Sequence, residues 1–464
     1  MFIGREYEID SLNKLYLEEK FQFIVMYGRR RIGKTRILSE FCKDKDSIFF
    51  VSEEYNDNMA LERFSRVILE HFNFEKYMSK FDTWENAFLF IADRCKEEKL
   101  VLVMDEFPYI ARANKSIPSL LQNLIDHHLK DTKLQLIICG SSMSFMEKEI
   151  LSYKSPLYGR RTAQYKIEAF NYFESANFFP EYSFEDKLLS YAILGGIPQY
   201  LLKFSDTKSI RENVIEYVLD KSSYLSSEPY NLLKQELREP ALYNTIIETI
   251  ATGATKINEI STKVGEPTAK CSLYIKTLIE LEIIEKRVPI GEDNSKKSIY
   301  LVKDNFFKFW YKYVFKYPEL IEQEMLGYIY DNIVEPDLSM YISFIYESVC
   351  IDFLKIQNKE FNLPFVFEKI GPWWGNNSIK KRQEEIDILA INGENALIGE
   401  CKWRNDKLNI QTVNELIEKS YCLKYDKKHY VFFSKSGFTE DVIKYAKLEN
   451  NITLYGKDLI KVHG

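Results

Sequence analysis

The sequence is poor in the residues that mark several protein classes. Its 464 residues include only 5 His and 7 Cys. The Cys, at positions 42, 95, 139, 271, 350, 401 and 422, are odd in number and form no close pair, so a disulfide-stapled secreted fold is not expected. Buried, reduced thiols are expected instead. No Cys/His cluster has zinc spacing, and the adjacent His127 and His128 would point about 100° apart on a helix, which suits one metal poorly. No apolar run approaches the roughly 20 residues that cross a bilayer. Residues 1–6 lack a basic segment followed by an apolar one, so no signal peptide is expected. A cytoplasmic chain with no membrane partner is the expectation. An excess of positive charge is also missing. The 63 basic and 69 acidic side chains give a net charge of -6, which excludes a wholly basic nucleic-acid coat and leaves room for a local basic groove.

What is present is ordinary globular composition, 45% hydrophobic and 28% charged, with aromatics at 15% that suit cores and interfaces. The length predicts roughly three domains. The pattern along the chain is α/β and multidomain. Residues 1–165 alternate apolar runs (21–27, 47–51, 100–104, 134–139) with helical stretches, as in a parallel sheet covered on both faces. Residues 166–235 read as helical. Residues 236–303 read as three helices and a hairpin turning at 291–295, the order of a winged helix. Its third helix offers Lys270, Ser272, Tyr274 and Lys276 either to DNA or to packing as a lid. Residues 304–335 read as an aromatic-rich connector, and 336–464 as a helix followed by alternating strands.

Two motifs carry chemistry. Gly28-Arg29-Arg30-Arg31-Ile32-Gly33-Lys34-Thr35 has the spacing of a phosphate-binding loop between a strand and a helix. Gly28 and Gly33 let backbone N–H groups turn towards phosphates, Lys34 would neutralise β- and γ-phosphate charge, and Thr35 would bind Mg²⁺. The apolar run 100–104 then delivers Asp105, a further Mg²⁺ ligand, and Glu106, which would polarise attacking water. ATP and Mg²⁺ are the expected cofactors. Ser141, after the run 134–139, is either a γ-phosphate sensor or a helix cap. Arg160 and Arg161 are either arginine fingers, in cis or from a neighbouring subunit, or a solvated pair.

In the second motif, Glu385 to Ile391 and Ala396 to Trp403 read as a hairpin around Asn392-Gly393-Glu394-Asn395. Pairing Ile391 with Ala396 puts Asp387 opposite Glu400, with Lys402 on the same face. Facing carboxylates ask for a cation, so Mg²⁺ on Asp387 and Glu400, with Lys402 orienting water or stabilising charge, is coherent phosphodiester chemistry. The alternative is an ion pair on an exposed hairpin.

Phe2-Ile3-Gly4-Arg5-Glu6-Tyr7-Glu8, the loop 28–35, Met104-Asp105-Glu106-Phe107 and Leu157-Tyr158-Gly159-Arg160-Arg161 resemble the archaeal-type ATPases. These are signal-transduction ATPases with numerous domains, related to AAA+ and replication-initiator ATPases. The resemblance spans about residues 1–235. It implies a P-loop α/β ATPase core with a helical lid, Arg5 near the adenine pocket and Pro198 near the base. Asp387 with Glu400-Cys401-Lys402 resembles the PD-(D/E)xK nuclease superfamily, over about residues 336–464. That resemblance implies a restriction-endonuclease-like α/β domain and a further acid, Glu347, on its first helix. Together they imply an ATPase coupled to a nucleic-acid partner, DNA foremost, with a nucleotide-dependent homo-oligomer as a further candidate. The other reading is a signalling switch whose C-terminal domain only binds a partner.

Overall fold

The computed structural model describes residues 2–292, 297–377 and 380–462. They form two compact units, one made of Met1–Ala169 with Ile197–Gln199, the other of Phe170–Gly196 with Tyr200–Gly464.

The first unit is built on five parallel strands: β1 (Gln22–Tyr27), β2 (Ser47–Val51), β3 (Leu100–Asp105), β4 (Leu134–Gly140) and β5 (Ala163–Lys166), in the order β2-β3-β4-β1-β5. Every residue of β1, β3 and β4 is buried, which is why these runs are continuously apolar rather than alternating. The edge strand β2 alternates half-buried and buried positions and ends on the exposed Val51, so the two-sided cover expected for all four runs holds only for the inner three. β5 has no apolar run and buries only Tyr165, so no hydrophobic signal announces it. The order has one consequence for chemistry: β4 stands between the strand before the phosphate loop and the strand that ends in Asp105. The C-terminal ends of β1, β4 and β3 therefore present their loops side by side.

In the second unit the helices Pro240–Ala251, Ile257–Val264 and Thr268–Glu280 precede a hairpin of β6 (Ile284–Arg287) and β7 (Ile299–Val302). Residues 293–296, which hold most of the expected turn, lie outside the described residues. The stretch read as a connector is a core helix, Asn305–Tyr313, in which Phe306, Phe307 and Tyr311 are fully buried. Tyr341 from the long helix Glu335–Lys359 donates to the Ala192 carbonyl at 2.9 Å and packs on Tyr313. Aromatic content thus goes into packing between helices. At the end of the helix Phe184–Leu194, Gly196 is obligatory, because a Cβ there would sit 1.8 Å from the Phe170 carbonyl oxygen.

The C-terminal sheet is mixed. β8 (Lys369–Asn377), β9 (Arg382–Asn392) and β10 (Asn395–Lys402) form an antiparallel meander, and β11 (Lys427–Ser434) and β12 (Ile452–Tyr455) extend it in parallel, in the order β12-β11-β10-β9-β8. Ile386, Ala396, Ile398 and Phe432 anchor its core under the helix Ile410–Ser420. Among the described residues, no helix is long and apolar enough to cross a membrane.

Candidate functional site

The first unit gathers the phosphate-loop residues at the C-terminal ends of its inner strands. After β1 the chain turns through Arg31 and Gly33, both at positive φ (69° and 91°), and enters the helix Lys34–Cys42. This leaves helix N-terminal N–H groups facing the loop. Gly28 cannot carry a side chain, since a Cβ would lie 2.4 Å from the Ile167 carbonyl oxygen. Lys34 is almost fully buried, and its ammonium donates to the carbonyls of Gly28 at 2.8 Å and Arg29 at 3.0 Å. The loop therefore holds its own cation in place. Thr35 Oγ1 donates to Asp105 Oδ2 at 2.6 Å, while the Glu106 N–H donates to Asp105 Oδ1 at 2.9 Å. Hydroxyl and carboxylate together are the hard-oxygen set that suits Mg²⁺.

Glu106 adopts φ 51°, a conformation that costs a non-glycine residue about 1–3 kcal/mol. It is held there by Ser141, whose hydroxyl and N–H both donate to Glu106 Oε2, at 2.9 and 3.2 Å. Ser141 therefore grips the acid of the neighbouring strand end rather than capping a helix. Arg5, buried and at φ 71°, donates to the Glu168 carbonyl at 2.6 Å, one residue beyond the Ile167 that floors Gly28. Pro198 borders the loop, with its Cγ 3.8 Å from where a Gly33 Cβ would stand. The two downstream arginines are engaged elsewhere. Arg160 makes a bidentate pair with Asp126, at 3.0 and 2.7 Å, and the pair raises the guanidinium's pKa and lowers the carboxyl's. Arg161 reaches the Leu151 carbonyl at 3.4 Å and lies over the Tyr158 ring. Arg30, inside the loop, donates to the Tyr109 hydroxyl at 3.3 Å; Asp126 is the partner that sequence reasoning did not single out.

The second unit brings together the C-terminal acids. Ala396 does pair with Ile391, and the ladder runs to Gly399 opposite Ile388. Asp387 and Glu400 stand one residue past that last pair, and Asp387 feels the Glu400 charge. There the Asp387 carboxylate replaces a ladder partner, accepting from the Cys401 N–H at 2.8 Å. Glu400 is buried; its Oε1 pairs with Lys402, and its Oε2 lies 3.6 Å from Lys419 but accepts no hydrogen bond. Lys419, on the helix that covers the sheet, had no sequence signal, because only packing brings it there. Glu347 projects from the long helix towards this cluster. Burial, then Asp387 and Glu385, push its carboxyl up to about 8, against the pull of Arg287. Burial and Glu400 push Asp387 up to about 6, opposed by the Cys401 N–H, Lys402 and Lys419.

Among the described residues no group of three or more His, Cys, Asp or Glu is arranged to hold a metal. The physical reason is the company each acid keeps: Glu400 is matched by two ammonium groups, Asp387 by a backbone N–H, and Glu347 favours its neutral form.

The shift on Glu347 has a stability consequence. Its folded-state value lies above the ordinary 4.5, so between about 4.5 and about 8 the folded chain holds a proton the unfolded chain has lost. Stability therefore falls as pH rises through that window. Glu347→Gln is expected to abolish this fall and to exceed the natural chain by about 2–4 kcal/mol above pH 8, with the two converging in acid. Urea unfolding across the range checks it; parallel curves for both proteins would refute the assignment.

In the middle module, Lys270 pairs with Glu266 at 2.8 Å and the Tyr274 hydroxyl binds Glu239, while Ser272 and Lys276 are exposed. This is a modest basic face.

The first unit thus has the fold and the loop of a P-loop ATPase, and comparison with known proteins agrees. Residues 2–204 match the ATPase domain found predominantly in Archaea, and residues 310–415 match a family of archaeal and bacterial proteins of unknown function. An uncharacterized protein of Methanocaldococcus jannaschii is 36% identical over 447 residues, covering 94% of this chain and 96% of that one. The chain belongs to the same family as that protein, and its residues 2–204 carry the archaeal ATPase domain. An uncharacterized ATP-binding protein of Pyrococcus horikoshii is 25% identical over 277 residues, covering 52% of this chain and 77% of that protein. The solved structure of a Walker-type ATPase of Pyrococcus abyssi shares the fold, at 19% identity and a TM-score of 0.51, over 67% of this chain and 96% of that one.

Proposed function

We propose that the chain binds and hydrolyses ATP with Mg²⁺ and couples its nucleotide state to a nuclease-like site acting on DNA. For the ATPase half, Lys34 would neutralise phosphate charge and Glu106, aimed by Ser141, would polarise the attacking water. Thr35 and Asp105 would hold Mg²⁺, which when bound offsets charge on the β- and γ-phosphates. Arg160 would act as a finger only after leaving Asp126. The P. horikoshii relative's description as ATP-binding supports this half.

The observation that carries the nuclease half is the meeting of Asp387, Glu400 and Lys402 on one hairpin, with a buried Glu400 oxygen that accepts no hydrogen bond. Such an oxygen suits a hard cation. Asp387 and Glu400 would hold Mg²⁺, supplying Lewis-acid polarisation of a phosphodiester. Lys402 would turn from Glu400 to the water or the developing charge. The helix Thr268–Glu280 and its hairpin would form a winged helix, with Ser272 and Lys276 towards a partner. A second reading, a switch whose C-terminal domain only binds, is favoured by the two ammonium groups that already match Glu400.

The test is Mg²⁺- or Mn²⁺-dependent DNA cleavage by the full chain in its nucleotide-free, ADP and non-hydrolysable-ATP states. Cleavage that differs between nucleotide states is the expected result. Cleavage in none of them would leave the switch.

A further inference from the structure

Two cations from outside the C-terminal sheet act on Glu347, the helix acid that faces Asp387. The first rides on the hairpin, which is fastened to the sheet's edge strand. The Ile290 N–H donates to the Pro372 carbonyl at 3.1 Å, and the Trp374 indole donates to the Lys297 carbonyl at 3.2 Å. The Ile290 side chain fills the space beside Gly371, where a Cβ would stand 3.2 Å from it. With both arms of the hairpin pinned, β6 is held in place, and it carries Arg287 opposite Ile299. Arg287 pairs with Glu285 on its own strand at 2.6 Å, and its charge is felt at both Glu347 and Lys308.

The second cation, Lys308, leaves the buried helix Asn305–Tyr313. Its ammonium lies 5.7 Å from the Tyr341 ring centre and 5.6 Å from that of Phe344. Phe344 precedes Glu347 by three residues, so Lys308 stands over the turn that leads to the acid cluster. It forms no ion pair with a carboxylate among the described residues; burial, then Arg287 and Lys312, bring its pKa down to about 8, against the weaker pull of Glu347 and Glu285. A half-buried ammonium with like-charged neighbours is stabilised by an anion. Such an anion would lie beside carboxylates that are themselves proposed to hold a cation. A phosphodiester bridging a metal and an ammonium meets both demands.

We propose that Lys308 and Arg287 bind a backbone phosphate of the nucleic-acid strand at the Asp387/Glu400 site, so that this site is completed by the hairpin and by the helix that follows it. This rests on the nuclease-like reading above. The ligand chemistry is a phosphate monoanion, and the source is a polymer strand rather than free phosphate.

The experiment uses the full chain with Ca²⁺ in place of Mg²⁺, so that binding is read without turnover. Fluorescence anisotropy follows a labelled single-stranded and a duplex oligonucleotide across a KCl series, and calorimetry follows inorganic phosphate alone. Lys308→Gln is expected to weaken oligonucleotide binding by roughly 5- to 10-fold and to flatten the salt slope by about one. Arg287→Gln should act in the same direction, and Lys308→Arg should restore most of the affinity. Circular dichroism and gel filtration show that the variants remain folded, and the Arg variant keeps the test valid if the Gln variant does not. Affinity and slope unchanged in Lys308→Gln and Arg287→Gln, with the natural chain binding normally, overturn this assignment alone. A Lys308-dependent affinity for inorganic phosphate without one for the oligonucleotide overturns the polymer source. No oligonucleotide binding by the natural chain overturns both this and the nuclease-like reading.

Discussion

Glu106→Gln is expected to bind ATP as the natural chain does and to hydrolyse it about 10²- to 10⁴-fold more slowly. The side chain sits beyond β3 at a positive φ and is gripped by the Ser141 hydroxyl and N–H. Gln keeps the size of the side chain and an oxygen for those donors, so the fold and the loop survive. What is lost is the charge that orients and polarises water. Lys34→Ala should behave differently, because its ammonium lies inside the loop, against the Gly28 and Arg29 carbonyls. That variant is expected to lose nucleotide affinity as well as turnover. Phosphate release together with calorimetric ATP titration separates the two. Hydrolysis at the natural rate in Glu106→Gln would move the catalytic base elsewhere.

The other large effect belongs to the second unit. Glu400→Ala is expected to reduce metal-dependent DNA cleavage by about 10² or more and to leave ATP turnover in place. Two things change at once in this variant. A carboxylate that would hold the metal is gone, and Lys402 and Lys419 lose the acid they share. Lys402→Ala should also abolish cleavage, by a different route, since Glu400 keeps Lys419 as a partner. Metal affinity tells the two apart: calorimetric Mn²⁺ binding at this site is expected to fall in Glu400→Ala and to persist in Lys402→Ala. Equal loss of Mn²⁺ in both would mean that Lys402 orders the acids rather than the reacting groups.

Much of this was legible in the sequence, for identifiable reasons. The inner strands β1, β3 and β4 are buried on both faces, so their apolar runs are unbroken and their boundaries clear. The loop from Gly28 to Thr35 is contiguous, so its spacing survives in one dimension. The hairpin register followed from the turn at Gly393, which adopts φ 56°, and Ala396 pairs with Ile391 as its spacing predicts. What escaped was carried by packing. β5 has one buried residue and no pattern. The helix Asn305–Tyr313 read as a connector because its aromatics crowd the stretch and leave only a narrow polar stripe, Asn305, Lys308 and Lys312. Lys419 and Asp126 meet their partners across 19 and 34 residues of chain, with no local signal.

The central claim is that one chain carries two separable active centres, a phosphate-loop centre around Lys34 and Glu106 and a carboxylate centre around Asp387 and Glu400. Its most direct test is to measure ATP hydrolysis and Mn²⁺-dependent DNA cleavage side by side on the natural chain, Glu106→Gln and Glu400→Ala. The expected pattern is reciprocal: Glu106→Gln loses hydrolysis and retains cleavage in the presence of ATP, while Glu400→Ala loses cleavage and retains hydrolysis. Cleavage that is the same in Glu400→Ala as in the natural chain would contradict the account.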